Sequence, residues 1–226
     1  METWAAHILR FYDGLQLPFT LPRGIEGLYA FKQPEVRATM EAFYNRYYND
    51  VNSRNVLIGI NPGRFGGGIT GIPFTDPINL AQACGIANTW PRKAELSSVF
   101  MYAIMEAYGG VEKFYRYFYI TSVSPVGFVQ NGKNLNYYDH KILEKKIVPF
   151  VVKCMEQQLA FGIRRDVCFC IGEGENLSFL RSLNQKHQWY KHIEPLPHPR
   201  WVMQYRRRQI AEYITLYQQT LLGSSI

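Results

Sequence analysis

A chain of 226 residues can bury one sizeable core and is short for two, so a single domain spanning 1–226 is expected, α/β or α+β in class. Hydrophobic residues make up 47% and charged residues 19%, and no apolar run approaches the roughly 20 residues of a membrane helix, which argues against a membrane partner. The formal charge of +7, from 25 Lys and Arg against 18 Asp and Glu, favours a polyanionic partner without establishing one.

The first residues, METWAAHILRFYDG, are too broken by Glu2, His7, Arg10 and Asp13 for the apolar middle of a secretion signal; Met1 onward reads as mature, non-secreted chain. Residues 4–12 and 34–49 have helical spacing, the second with Val36, Met40, Phe43, Tyr44 and Tyr47 on one face, and 1–50 forms a helical lead-in. An α/β core over 55–222 begins with the strand NVLIGI at 55–60, followed by a glycine- and proline-rich loop at 61–77. Residues 96–108 read as helix, and FYITSV at 118–123 as a second strand ending at Ser124-Pro125. A loop follows that carries Asn131, Gly132, Asn134 and Asn136.

From Asp139 to Phe161 the apolar residues form a helical stripe, with Pro149 marking one bent helix or two. DVCFCIG at 166–172 is a third strand, a helix follows from about Glu175 to Lys186, and YKHIEPL at 190–196 is a fourth strand. A loop at 197–208 precedes a last helix expected to bury Ile210, Tyr213, Ile214, Tyr217 and Leu221. Strands alternating with helices predict right-handed crossovers: a three-layer α/β/α sandwich around a short parallel sheet of about four strands. Ligands in such sheets gather where loops leave the C-terminal strand ends, here 61–77, 122–136 and 197–205.

Cys84, Cys154, Cys168 and Cys170 form neither a CxxC pair nor a zinc pattern, so no metal is expected and buried thiols are the simpler reading. GGGITG at 66–71 matches G-x-G-x-x-G literally. A dinucleotide fingerprint, however, puts its first glycine at the strand end with a helix directly after; here NPGRF intervenes, and Pro73 and Pro77 oppose a helix. No Gly-Lys-Ser/Thr of a phosphate loop is present, and GEGENL at 172–177 reads as a turn into a helix.

The string GINPGRFGGGITGIPFTDP at 59–77, joined to LPHPR at 196–200, resembles the two active-site motifs of the uracil-DNA glycosylase superfamily, most closely those of the single-strand-selective monofunctional uracil-DNA glycosylases. TSVSPVGFVQNGKNLN at 121–136 is similar to that family's base-recognition segment in a looser form. The resemblance implies the three-layer fold, no metal and no cofactor. It also implies hydrolysis of the N-glycosidic bond of uracil, 5-substituted uracils included, in single- and double-stranded DNA, leaving an abasic site. Such an enzyme is expected to act as a monomer, in the cytoplasm or nucleoid of a bacterium or the nucleus of a eukaryote.

That hydrolysis makes an oxocarbenium-like sugar and a departing base anion, so the site must hold a water and stabilise charge growing on the base O2. By the resemblance Asn61 positions the water and His198 hydrogen-bonds the leaving base. Phe74 matches the stacking platform and Gly63 the residue that leaves room at the base 5-position. Phe65 shapes the wall, and Ile60 and Ser122 complete the base-binding set. DNA contacts are expected from Arg64, Arg200, Trp201, Arg206, Arg207 and Arg208, with Trp201, Val202 or Met203 able to fill the gap left by an extruded base.

Three positions depart from the family pattern. Arg64 stands where the single-strand-selective family has proline, and His198-Pro199-Arg200 replaces its usual His-Pro-Ser-Pro. Ser122 aligns with the asparagine that reads the base, offering one hydroxyl where an amide offers a donor and an acceptor. Two alternatives stay beside uracil release: the same fold acting on another deaminated or oxidised base, and a catalytically silent DNA-binding module.

Overall fold

The computed structural model describes residues 2–223; Met1 and residues 224–226, which the single-domain expectation also covers, lie outside the described residues. α1 (Trp4–Asp13) is capped by Thr3, and α2 (Pro34–Tyr47) follows a short strand, β1 (Ile25–Leu28). The five residues of the expected α2 stripe are all buried. β2 (Arg54–Gly59) is buried at every position, the pattern of a strand covered on both faces. The chain then forms α3 (Gly67–Thr70), α4 (Pro77–Gln82), α5 (Leu96–Tyr108) and α6 (Val111–Tyr117) before β3 (Phe118–Ser122). The second half contains β4 (Gly127–Gln130), β5 (Lys133–Leu135), α7 (Lys141–Leu159), β6 (Ile163–Ile171) and α8 (Glu175–His187). It ends with β7 (His192–Leu196), α9 (Pro199–Tyr205) and α10 (Ile210–Leu222).

β3, β2, β6 and β7 form a parallel sheet in that spatial order, the four-stranded α/β arrangement expected. From β2 the chain moves outward to β3, and from β6 outward in the opposite direction to β7. The order therefore reverses between β2 and β6, and a crevice opens at their C-terminal ends. Cys84, Cys154, Cys168 and Cys170 are free and buried, as small hydrophobes in the core.

Several elements differ from the sequence reading: β1 interrupts the helical lead-in expected over 1–50, and α3 forms within the loop expected at 61–77. The loop after β3 contains β4 and β5, which pair with β1 as a second, antiparallel sheet. Asn131 and Gly132, with φ of 50° and 69°, make the two-residue turn of that hairpin. Pro77 starts α4, because Asp76 Oδ1 accepts from Asn79 N at 2.8 Å and a proline at the first helical position loses no hydrogen bond. Pro199 starts α9 behind His198 in the same way, so most of 197–208 is helix rather than loop. α7 is one helix with Pro149 inside it, the first of the two readings left open for 139–161, whereas α6 takes up residues left unassigned. In α10 only Tyr217 and Leu221 are buried; Ile210, Tyr213 and Ile214 are half-buried against the core.

A buried cation organises the edge of the core near α1. Arg54 is fully buried, and its five N–H groups all find acceptors: Asp50 Oδ1 and Oδ2 at 2.8 and 2.7 Å, and the carbonyls of Tyr115, Asn52 and Tyr47 at 2.8, 3.2 and 3.3 Å. Its guanidinium also lies over the rings of Trp4 and Tyr48, at 5.2 and 4.8 Å. Asp50→Asn leaves that charge without a counter-ion and is expected to cost about 3 kcal/mol, lowering Tm by roughly 6–12 °C. The Arg54 hydrogen bonds hold the Asp50 carboxyl below the usual carboxylate range. Its contribution is therefore complete above pH ~4 and is lost as pH falls through the lowered folded value. Urea titrations of both proteins should show the full difference at pH 7 and a shrinking one in acid; an equal difference throughout would refute this account.

Candidate active site

Loops from all four parallel strands meet around a cavity of about 460 Å³ at the C-terminal edge of the sheet. Ile60, Asn61, Pro62 and Gly63 line it from the segment after β2, Phe74 from the turn before α4, and Ser122 from the end of β3. Residues 172–176 contribute from the β6–α8 turn, and His198, Arg200, Trp201, Gln204 and Tyr205 from the start and one face of α9. Glycine is needed where backbones or rings approach closely. A Cβ at Gly59 would stand 2.9 Å from the Phe74 ring, and one at Gly127 would stand 2.3 Å from the Pro62 carbonyl oxygen.

Asn61 is tied down at both ends of its carboxamide. Its Nδ2 donates to the Leu135 carbonyl at 3.2 Å, and its Oδ1 accepts from Tyr137 N at 3.1 Å, so β5 and the residues after it fix the side chain. The Tyr137 hydroxyl in turn donates to Asn176 Oδ1 at 2.9 Å, which links this wall to α8. One lone pair of Asn61 Oδ1 remains available to a water.

His198 caps α9, its Nδ1 accepting from Arg200 N at 3.1 Å. An accepting Nδ1 places the ring proton on Nε2 and makes Nε2–H the free donor. Burial, with the Arg200 charge adding to it, pushes the imidazole pKa down to about 4, so the ring is neutral at pH 7. The Phe74 ring lies 6.3 Å from it, centroid to centroid. Phe74 itself has φ of 53°, an unusual value for a bulky residue, held in place by the close contact with Gly59.

Of the expected base-binding set, Ile60, Gly63, Phe74 and Ser122 reach the cavity and Phe65 does not. The Phe65 ring is covered by cations instead, with the Arg64 guanidinium 4.2 Å and the Lys93 ammonium 3.9 Å from its centroid. Arg200 and Trp201 stand at the cavity; Arg64, Arg206, Arg207 and Arg208 are exposed outside it. Val202 is fully buried and Met203 packs against the core, which removes both as gap-filling side chains. Trp201 is 38% and Tyr205 67% exposed, four residues apart on one face of α9, so Tyr205 joins Trp201 there.

Asn134, Asn136, Tyr138, Asn176, Glu95 and Tyr205 also line the cavity; the sequence reading gave none of them a role by itself, although Asn134 and Asn136 fall in the segment likened to the family's base-recognition segment and Tyr205 in the strand-end loop 197–205. The Asn-Gly turn at 131–132 was the available signal: it predicts a hairpin, and a strand after it sends alternate residues to one face. Glu95 had no such signal. Its Oε2 accepts from Ser98 N at 3.1 Å to cap α5, and burial raises its carboxyl above the ordinary range. Among the described residues no group of three or more His, Cys, Asp or Glu is arranged to hold a metal ion.

The His198 environment predicts a specific titration. Its imidazole should stay neutral, protonated on Nε2, down to about pH 4. Because the folded value lies below the ordinary 6.5, this group's contribution to stability is complete above pH 6.5 and is lost as pH falls through about 4. Nitrogen-15 NMR of the labelled protein reads both tautomer and pKa; a His198 titration near 6.5 would sink the assignment of a neutral donor.

Comparison with known proteins places the chain. A family described as the uracil DNA glycosylase superfamily matches residues 46–222. Among solved structures, the crystal structure of wild-type Pedobacter heparinus SMUG2 superposes with a TM-score of 0.96 and is 43% identical, covering 99% of this chain and 98% of that one. No curated protein matches the chain. With its helix-flanked parallel sheet and the Asn61 and His198 motifs at one strand-end cavity, the chain belongs to the uracil DNA glycosylase superfamily, near its single-strand-selective members, and is a monofunctional DNA glycosylase, a hydrolase of N-glycosyl bonds in base excision repair.

Proposed function

We propose that this enzyme releases uracil, 5-substituted uracils included, from single- and double-stranded DNA and leaves an abasic site. The observation that carries the reading is His198: a neutral imidazole whose only free hydrogen-bonding group is a donor, in the same cavity as Asn61. An extruded uracil stacks on Phe74, and its O2 accepts from His198 Nε2–H as negative charge moves onto the base. A fixed neutral donor stabilises that charge without a proton transfer. Asn61 Oδ1 orients the attacking water; an amide is no strong base, which suits a reaction whose bond to the base breaks early. Gly63 keeps space open beside the base.

DNA approaches across α9 and the loop after β2. Arg64, Arg200 and Arg206–Arg208 meet phosphates, and Trp201 and Tyr205 stack on the bases flanking the extruded nucleotide. All of these groups come from one chain, which we take to work as one domain and one protomer wherever the genome lies. A second reading, release of another deaminated or oxidised base, is favoured by Ser122, whose lone hydroxyl cannot contact two atoms of a pyrimidine edge as an amide does.

The test uses labelled single-stranded and duplex oligonucleotides with one uracil each, incubated with the protein and EDTA and then treated with alkali. Strand breaks should appear only after alkali, and Asn61→Ala or His198→Ala should each lower the single-turnover rate by on the order of 10²–10³. Intact uracil strands with other lesions released would transfer the assignment to the second reading; DNA binding without release of any base would leave a silent module. Filling a gap matters only in a duplex, so Trp201→Ala and Tyr205→Ala are expected to lower kcat/KM for duplex substrate by roughly 5- to 100-fold, with a smaller loss on single strands. Equal losses on both substrates would argue that these rings do not occupy the gap.

A further inference from the structure

Recognition of uracil requires partners for three edge atoms: acceptors at O2 and O4 and the donor N3–H between them. His198 serves O2 in the mechanism above, which leaves N3–H and O4. The Ser122 hydroxyl is a single atom and cannot bond both at good geometry. A carboxamide, with its acceptor and donor side by side in one plane, matches that pair.

The wall opposite the parallel sheet supplies one. Beyond the Asn131-Gly132 turn the chain runs extended through β5, and its side chains alternate. Asn134, Asn136 and Tyr138 line the cavity, while Leu135 packs against the core and Tyr137 is fully buried. Within this row the Asn134 carboxamide is engaged, its Oδ1 accepting from Arg64 N at 3.0 Å. The Asn136 carboxamide has no hydrogen-bond partner among the described residues.

Asn136 is also the residue whose place is set by the catalytic machinery. The Asn61 side chain bonds the Leu135 carbonyl and the Tyr137 N–H, the two backbone groups flanking Asn136, in the pattern by which one strand of a parallel pair grips its neighbour. Asn136 N donates to Asp139 Oδ2 at 2.8 Å, and the Tyr137–Asn176 bond holds the segment from the other side. An amide that points at the cavity without a protein partner, on backbone clamped by the water-positioning asparagine, is preorganised for a ligand.

We propose that Asn136 is the base-edge reader of this enzyme, its Oδ1 accepting from N3–H and its Nδ2 donating to O4 of the extruded uracil, in place of the amide missing at Ser122. The inference rests on the uracil-releasing function proposed above. It assigns specificity to the wall formed by the small antiparallel sheet rather than to the end of β3.

Single-turnover release is measured for uracil and for 3-methyluracil, which lacks the N3 proton, in otherwise identical single-stranded oligonucleotides. The wild type should release uracil and reject the methylated base. Asn136→Ala should slow uracil release roughly 10- to 100-fold and lower the preference for uracil over 3-methyluracil by a similar factor. Asn136→Asp keeps the acceptor and loses the donor, so it should slow uracil release while still rejecting 3-methyluracil. Affinity for lesion-free single strands and the melting temperature should match the wild type in both variants, separating reading from folding. An Asn136→Ala enzyme that keeps the wild-type rate or the wild-type preference overturns the proposal. Absence of uracil release by the wild type is seen before any variant is made; it overturns the proposed function, and this inference with it.

Discussion

The carboxamide of Asn61 is the point at which the two sheets of this enzyme meet. It leaves the C-terminal end of the central strand β2 and bonds backbone groups of the segment that continues β5. Together with the bonds from Arg64 N to Asn134 Oδ1 and from the Tyr137 hydroxyl to Asn176, these two bonds fix the polar row Asn134, Asn136 and Tyr138 in the cavity that Phe74 and His198 also line. An amide that also joins sheets has little freedom to rotate, so under the role proposed for Asn61 much of the entropy cost of positioning water is met during folding.

Electrostatics in the site follow from burial more than from paired charges. His198 is kept neutral by its surroundings, and its Nδ1 is used up by the first turn of α9, so a single donor, Nε2–H, remains free. Glu95, the acidic group nearest the loop glycines, is likewise shifted towards its neutral form by burial while it caps α5. Two acids that line the rim, Glu173 and Glu175, remain exposed to solvent, where screening is strong. Apart from Arg200, which lines the cavity, the cations stand outside it: Arg64 and Lys93 against the Phe65 ring, Arg206 over Trp201. Positive charge at the rim and neutral donors in the interior suit a polyanionic strand whose uncharged base alone enters the cavity.

Much of the fold was legible because its signals are local. The apolar run Val56–Ile58 of β2, the helical stripe of α2 and the alternation of strands with helices each arise from residues near one another in the chain, and all appear where expected. Prolines misled where their setting was not considered: Pro77 and Pro199 each follow a capping side chain and begin a helix, where the missing N–H costs no hydrogen bond. The hairpin of β4 and β5 was missed although Asn131-Gly132 announced it, since flanking strands of four and three residues carry little alternation to count.

By itself the sequence determined the class of chemistry. Two motifs, at 59–77 and 196–200, hold an amide and an imidazole after strands that a parallel α/β sheet brings to one edge, and that much follows from order along the chain. Only the tertiary structure decided which other groups line the cavity and in what state. Asn61 and Tyr137 are 76 positions apart, so no periodicity could show that one positions the other. Val202 and Tyr205 differ in role because the core covers the first and leaves the second in solvent. Neutrality of His198 depends on desolvation by neighbours drawn from several elements. Burial and long-range hydrogen bonding are properties of the assembled fold, which no local pattern in the chain contains.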